Sequence, residues 1–129
     1  WTPIAQNSTI SAVFDGNNHT ISGLTVNSTA NQAGLFAACS NMTIKNLNLS
    51  VKKITGAECV GALIAKAIDS NLANCHVTIS GSVKGTTEVG GLIGCAQNTT
   101  ITNSSVQGTV QGVCPQDKHR HMCHTAYKQ

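Results

Sequence analysis

Apolar and polar residues alternate along most of this chain, in short runs broken by Gly, Asn, Ser and Thr. Ile21-x-x-Leu24-x-Val26, Leu47-x-Leu49-x-Val51, Cys75-x-Val77-x-Ile79 and Val106-x-x-x-Val110 carry a two-residue period with occasional breaks. No window of helical length carries a helical stripe. The pattern predicts short strands joined by tight corners, an all-β chain.

The runs also repeat. "AGLFAACSNMTIKNLNL" from Ala33, "GALIAKAIDSNLANCHV" from Gly61 and "GGLIGCAQNTTITNSSV" from Gly90 are variants of one phrase. Aligned, they superimpose Leu35, Leu63 and Leu92, then Phe36, Ile64 and Ile93, then Ile44, Leu72 and Ile101, then Leu49, Val77 and Val106. A partial earlier copy, "HTISGLTV" from His19, matches "MTIKNLNL" from Met42. Strand repeats of this period predict a β-solenoid, one coil per repeat, with equivalent residues about 4.8 Å apart. One coil cannot bury its own apolar face, whereas stacked coils can. About four to five coils are expected over residues 1–112, followed by an irregular tail over residues 113–129 with no counterpart in the repeat.

The alignment stacks Asn46, Asn74 and Asn103, predicting an inward amide ladder at a corner. It also stacks Asn41, Asp69 and Asn98 at a second, exposed corner. Cys75 falls between Leu47 and Ser104 and reads as a buried thiol. Cys39 and Cys95 are offset by one position and two coils, about 10 Å at the strand spacing, beyond disulfide reach.

Composition then sets the compartment. Ser and Thr make up 26 of 129 residues, so about two or three of the twelve Asn would fall in Asn-x-Ser/Thr by chance. Seven do: Asn7, Asn18, Asn27, Asn41, Asn48, Asn98 and Asn103. The excess predicts N-linked glycans and a secreted, extracellular protein. Asn103 is the exception, because a ladder position competes with a sugar. Asn41 and Asn98 are better placed. Six cysteines suit the same compartment. The disulfide candidates are Cys39, Cys59, Cys95, Cys114 and Cys123, with Cys114–Cys123 the simplest closure of the tail; Cys59, on a coil boundary, could meet the tail and is left unassigned.

The phrases "FDGNNHTISGLTV", "AGLF", "TIKNLNL" and "VGGLIG", led in by "WTPIA", resemble the GLUG-type repeats of large extracellular surface proteins and adhesins. The likeness covers residues 1–112. It implies a right-handed parallel β-helix, and stalk or spacer roles rather than an activity. The dense sequons and cysteines depart from bacterial members and point to a glycosylating source.

Chemistry is sparse. The carboxylates are Asp15, Glu58, Asp69, Glu88 and Asp117. Only Glu58 and Glu88 can lie close, on an outer corner where a solvated turn is the simpler reading than a hydrolase pair. No Ser-His-Asp or Cys-His arrangement is suggested. His119, His121, Cys123 and His124 have metal-ligand chemistry, yet the disulfide-closed arm explains them and no metal site is expected. A net charge of +3, with no basic stripe interleaved with aromatics, argues against nucleic acid. No apolar run has the length of a membrane span, so no membrane insertion is expected. "TIT" at Thr100–Thr102 is not repeated on the stacked coils, which argues against ice binding. No cofactor is expected.

The chain therefore reads as a non-enzymatic extracellular structural glycoprotein. No end-capping helix is visible, so its open ends are expected to be covered by further copies, head to tail, in a filament. The rival reading is an adhesin-type module that binds a carbohydrate or another surface ligand.

Overall fold

The computed structural model describes residues 1–5, 8–113 and 126–128. Its strands are β1 (Val13–Asn27), β2 (Gln32–Ala33), β3 (Phe36–Ser40), β4 (Thr43–Thr55), β5 (Cys59–Gly61), β6 (Ile64–Ile68), β7 (Asn71–Gly90), β8 (Ile93–Gln97), β9 (Thr100–Thr102), β10 (Ser105–Val113) and β11 (Ala126–Lys128). All but β11 stack in parallel, as a β-solenoid of about four turns. One sheet runs β1-β4-β7-β10-β11, with β2, β5 and β9 branching from it, and a smaller sheet runs β3-β6-β8.

The register is the one the repeat dictates. Phe36 pairs with Ile64 and Ile64 with Ile93 in the small sheet. Leu49 pairs with Val77 and Val77 with Val106 in the large one. These side chains point inward and are almost wholly buried. Phe14 packs edge-on against Phe36, with ring centroids 5.5 Å apart. Inter-coil bonds continue through the corners: the Leu63 amide donates to the Leu92 carbonyl at 3.1 Å, and the Asn41 amide to the Ile68 carbonyl at 3.0 Å. A solenoid meets its backbone hydrogen-bond demand this way even where the chain turns.

Two corners per coil place a residue with positive φ: Asn41 (53°), Asp69 (49°) and Asn98 (50°) at one, Asn46 (55°), Asn74 (55°) and Asn103 (47°) at the other. Asn and Asp tolerate this left-handed region better than other residues with a side chain. Buried hydroxyls follow some of these corners. Ser70 Oγ donates to the Ile68 carbonyl at 2.8 Å and accepts the Met42 amide at 3.2 Å. Ser104 Oγ donates to the Thr102 carbonyl at 2.9 Å and accepts the Cys75 amide at 3.1 Å.

The structure corrects the sequence reading in two places. "HTISGLTV" does not lie on "MTIKNLNL": Thr20 pairs with Asn48, Ile21 with Leu49, and Phe14 with Ile44. Asn17 and Asn18, both left-handed, sit at a register shift between Asp15 and His19. That irregularity lengthens the first coil, so local word similarity gives the wrong offset. Nor is the tail wholly irregular. Ala126–Lys128 returns as β11 and pairs antiparallel with β10, Ser105 opposite Lys128 and Gln107 opposite Ala126. In a sheet whose other pairings are parallel, this strand covers part of the last edge.

Candidate functional site

The most developed side-chain constellation is a ladder on the outer surface. Asn103 Nδ2 donates to Asn74 Oδ1 at 3.3 Å, Asn74 Nδ2 to Asn46 Oδ1 at 2.9 Å, and Asn46 Nδ2 to Asp15 Oδ1 at 3.1 Å. Every amide donates towards the N-terminal coil, and the chain of bonds ends on a carboxylate. The ladder expected from the alignment exists, but it does not face inward: Asn46 and Asn74 are half-buried and Asn103 is exposed. The left-handed corner explains the difference, because it turns these side chains outward while the next residue, Leu47, Cys75 or Ser104, enters the core. Asp15 also accepts the Asn17 amide at 2.9 Å. That bond, then the one from Asn46, holds its carboxyl below the usual range, with Lys45 adding to the effect. At the second corner Asn98 Nδ2 donates to Asp69 Oδ1 at 2.6 Å.

His76 joins the first ladder. Its Nε2 lies 3.2 Å from Asn74 Oδ1, which only accepts, so Nε2 carries a proton. Its Nδ1 lies 2.8 Å from Ser105 Oγ. The connectivity hydroxyl–imidazole–amide is that of a nucleophilic relay. The backbones at His76 and Ser105 pair with each other in the sheet, which does not set their amides out as an oxyanion hole. The arrangement is a cross-coil tie. Sequence reasoning missed it, although the repeat offset itself sets Ser105 beside His76.

The cysteines divide into two kinds. Cys59 and Cys95 form a disulfide with Cα atoms 5.4 Å apart. Cys59, which the sequence left unassigned, reaches the next coil. Gly94 permits the approach, since a Cβ there would stand 2.5 Å from the Val60 amide nitrogen. Cys39, put forward as a disulfide candidate, is a free, buried thiol, as is Cys75. Burial pushes Cys39 up to about 12 and Cys75 up to about 11. Cys114 and Cys123, with His119, His121 and His124, lie outside the described residues.

Among the sequons, Asn18, Asn27, Asn41, Asn98 and Asn103 are exposed. Asn48 is half-buried and its Nδ2 donates to the Asn18 carbonyl at 3.3 Å. Asn7 lies outside the described residues. The Glu58 corner is bound through its backbone, where the Thr87 hydroxyl donates to the Glu58 carbonyl at 2.8 Å. A cavity of about 300 Å³ opens near the N-terminal coil, lined by Ser8, Thr9, Gln32, Ala38, Cys39, Lys66 and Ile68.

Fold and surface together define a β-solenoid repeat protein whose polar residues tie coil to coil. Residues 85–111 match the family model of the GLUG motif, so the chain carries the repeat its phrases resemble. Halomucin of Haloquadratum walsbyi is 38% identical over 92 residues, 70% of this chain and 1% of that protein. An immunoglobulin A1 protease of Streptococcus sanguinis is 33% identical over 96 residues, 74% of this chain and 5% of the protease. The zinc metalloprotease ZmpC of Streptococcus pneumoniae is 34% identical over 74 residues, covering 57% and 4%. This chain thus spans a small fraction of these relatives, and the matches to the two proteases are local. No solved structure matches.

Proposed function

We propose that this chain is a non-catalytic structural module of an extracellular surface protein, whose coils are continued end on end by those of further copies. One observation carries the reading. The set Ile21–Leu49–Val77–Val106 recurs in parallel register from the first coil to the last, so either end offers a second copy the same pattern. The Cys59–Cys95 bridge supports an oxidising compartment. The GLUG motif supports a surface setting, and the small share of each relative supports a module inside something longer. N-linked glycans belong on Asn18, Asn27, Asn41 and Asn98, which are exposed and point away from the core. Electron microscopy of the native material tests the stacking. Continuous fibres with coils crossing chain boundaries are expected, and separate particles at every concentration would overturn it.

The cavity beside Lys66 favours a second reading, an adhesin-type module that binds a carbohydrate or another small polar group. Its lining mixes hydroxyl, amide and ammonium groups with aliphatic walls, the mixture such sites use. A glycan array probed with the wild-type chain and Lys66→Ala tests it. Binding lost in the variant is the expected result, and no binding by the wild type rejects the reading.

A further inference from the structure

The two ends of the solenoid are unlike. At the tail, β10 is covered by β11 only over Ser105–Gln107, and on the edge away from β7 its remaining residues through Val113 have no strand beside them among the described residues. At the head, the edge of β1 facing away from β4 is likewise without a named strand. Among the described residues, the two side chains exposed as large apolar groups, Trp1 and Val13, both lie on the head coil.

Register says which surface fits the tail. Val106 continues the row Ile21–Leu49–Val77, and Val110 continues the row Val26–Ile54–Val83. A second copy placed head to tail would set its Ile21 on Val106 and its Val26 on Val110, apolar on apolar in both rows.

The polar row does not match. Asn103 at the tail donates back to Asn74, which leaves its Oδ1 towards the tail as an acceptor. The residue that would meet it, Asp15 of the next copy, carries no donor when ionised. Two acceptors would face each other where every other step of the ladder has a donor. β11 adds a second obstacle, since an antiparallel strand on Ser105–Gln107 occupies the edge a parallel strand would need.

We propose that the tail edge of β10 is a docking surface for the head coil of a second copy, held closed by β11 in the same chain and by the Asp15 carboxylate at the head of the Asn ladder. This rests on the stacking reading above and adds its control. Closed chains stack weakly, and copies join tightly when β11 leaves and position 15 can donate. Strand edges in natural proteins are commonly guarded by such a covering segment or charge.

The test uses the full chain in four forms: wild type, Asp15→Asn, Tyr127→Pro and the double variant. Asparagine at position 15 keeps an acceptor for Asn46 and adds a donor for Asn103. Proline in β11 weakens that strand without touching the coils. Sedimentation velocity over a concentration series reads association, and circular dichroism verifies that each form keeps its strand content. Wild type should associate only weakly, at the top of the concentration series. The double variant should associate with a dissociation constant lower by roughly tenfold or more, the worth of one recovered hydrogen bond or beyond. If wild type and double variant stack equally well, stacking stands and the control is wrong. If a folded double variant stays monomeric, both the control and the stacking reading fail.

Discussion

Cys59 and Cys95, 36 residues apart, are bonded although they occupy different positions of the coil. Equivalent positions stack at the strand spacing, but this bridge joins β5 to β8, strands of different sheets that pass closely at Val60 and Gly94. It therefore cross-links two coils and both sheets at once. Replacing both cysteines with serine should lower unfolding free energy by about 4 kcal/mol, the value for a loop of this size. Urea titration with and without reductant checks it, and an unchanged midpoint would show the bridge to be idle.

Cys39 and Cys75 should resist chemistry while the fold stands. Both are buried with thiols pushed up to about 12 and about 11, so little thiolate exists near neutral pH. Iodoacetamide followed by peptide mass mapping should find both unmodified in the native chain and both alkylated in denaturant. Native labelling of either would contradict the packing around it.

The ladder corners make a graded prediction. Asn74→Leu loses the amide bonds to Asn46 and Asn103 and puts a branched side chain at φ 55°. The combined loss should be about 2–3 kcal/mol. Asn74→Gly loses the same bonds but suits the backbone, and should cost about 1 kcal/mol less. Equal losses in thermal melts would mean that the left-handed corner carries no strain.

Asp15 sets an acid limb. Its folded carboxyl is lowered by the Asn17 amide and the Asn46 side chain, so the folded state favours the ionised form. Its stabilising contribution is complete above the ordinary aspartate value of about 4 and is lost as pH falls through the lower folded value. Asp15→Asn should flatten the stability–pH curve below about pH 4 relative to wild type and leave its shape near neutrality alone. Denaturant midpoints measured across pH 2 to 6, on the order of one per half unit, would reveal any failure to flatten.

Core position should matter by coil. Ile64 is fully buried between Phe36 and Ile93, so Ile64→Ala should cost about 3–4 kcal/mol. Ile21, half-buried on the head coil, should cost less than half of that as alanine. A reversed order in chemical denaturation would contradict the placement of the core.

Much of this protein is written directly in its sequence, for a reason particular to solenoids. The spatial neighbours of Leu49 are one period away along the chain, so Val77 and Val106 could be named as its partners from the alignment alone. The same logic placed Cys75 in the core and set Asn46, Asn74 and Asn103 in one row. It would also have paired His76 with Ser105 had the row after the ladder been followed. Tertiary structure decided what periodicity cannot carry. The sign of φ at the Asn corners turned the ladder outward. The irregularity at Asn17 and Asn18 reset the register of the first coil. Contacts between unlike positions, Cys59 with Cys95 and β11 with β10, depend on how sheets cross and where the chain returns. A repeat specifies which residues recur, whereas these contacts follow from the path of the backbone through space, which no single period encodes.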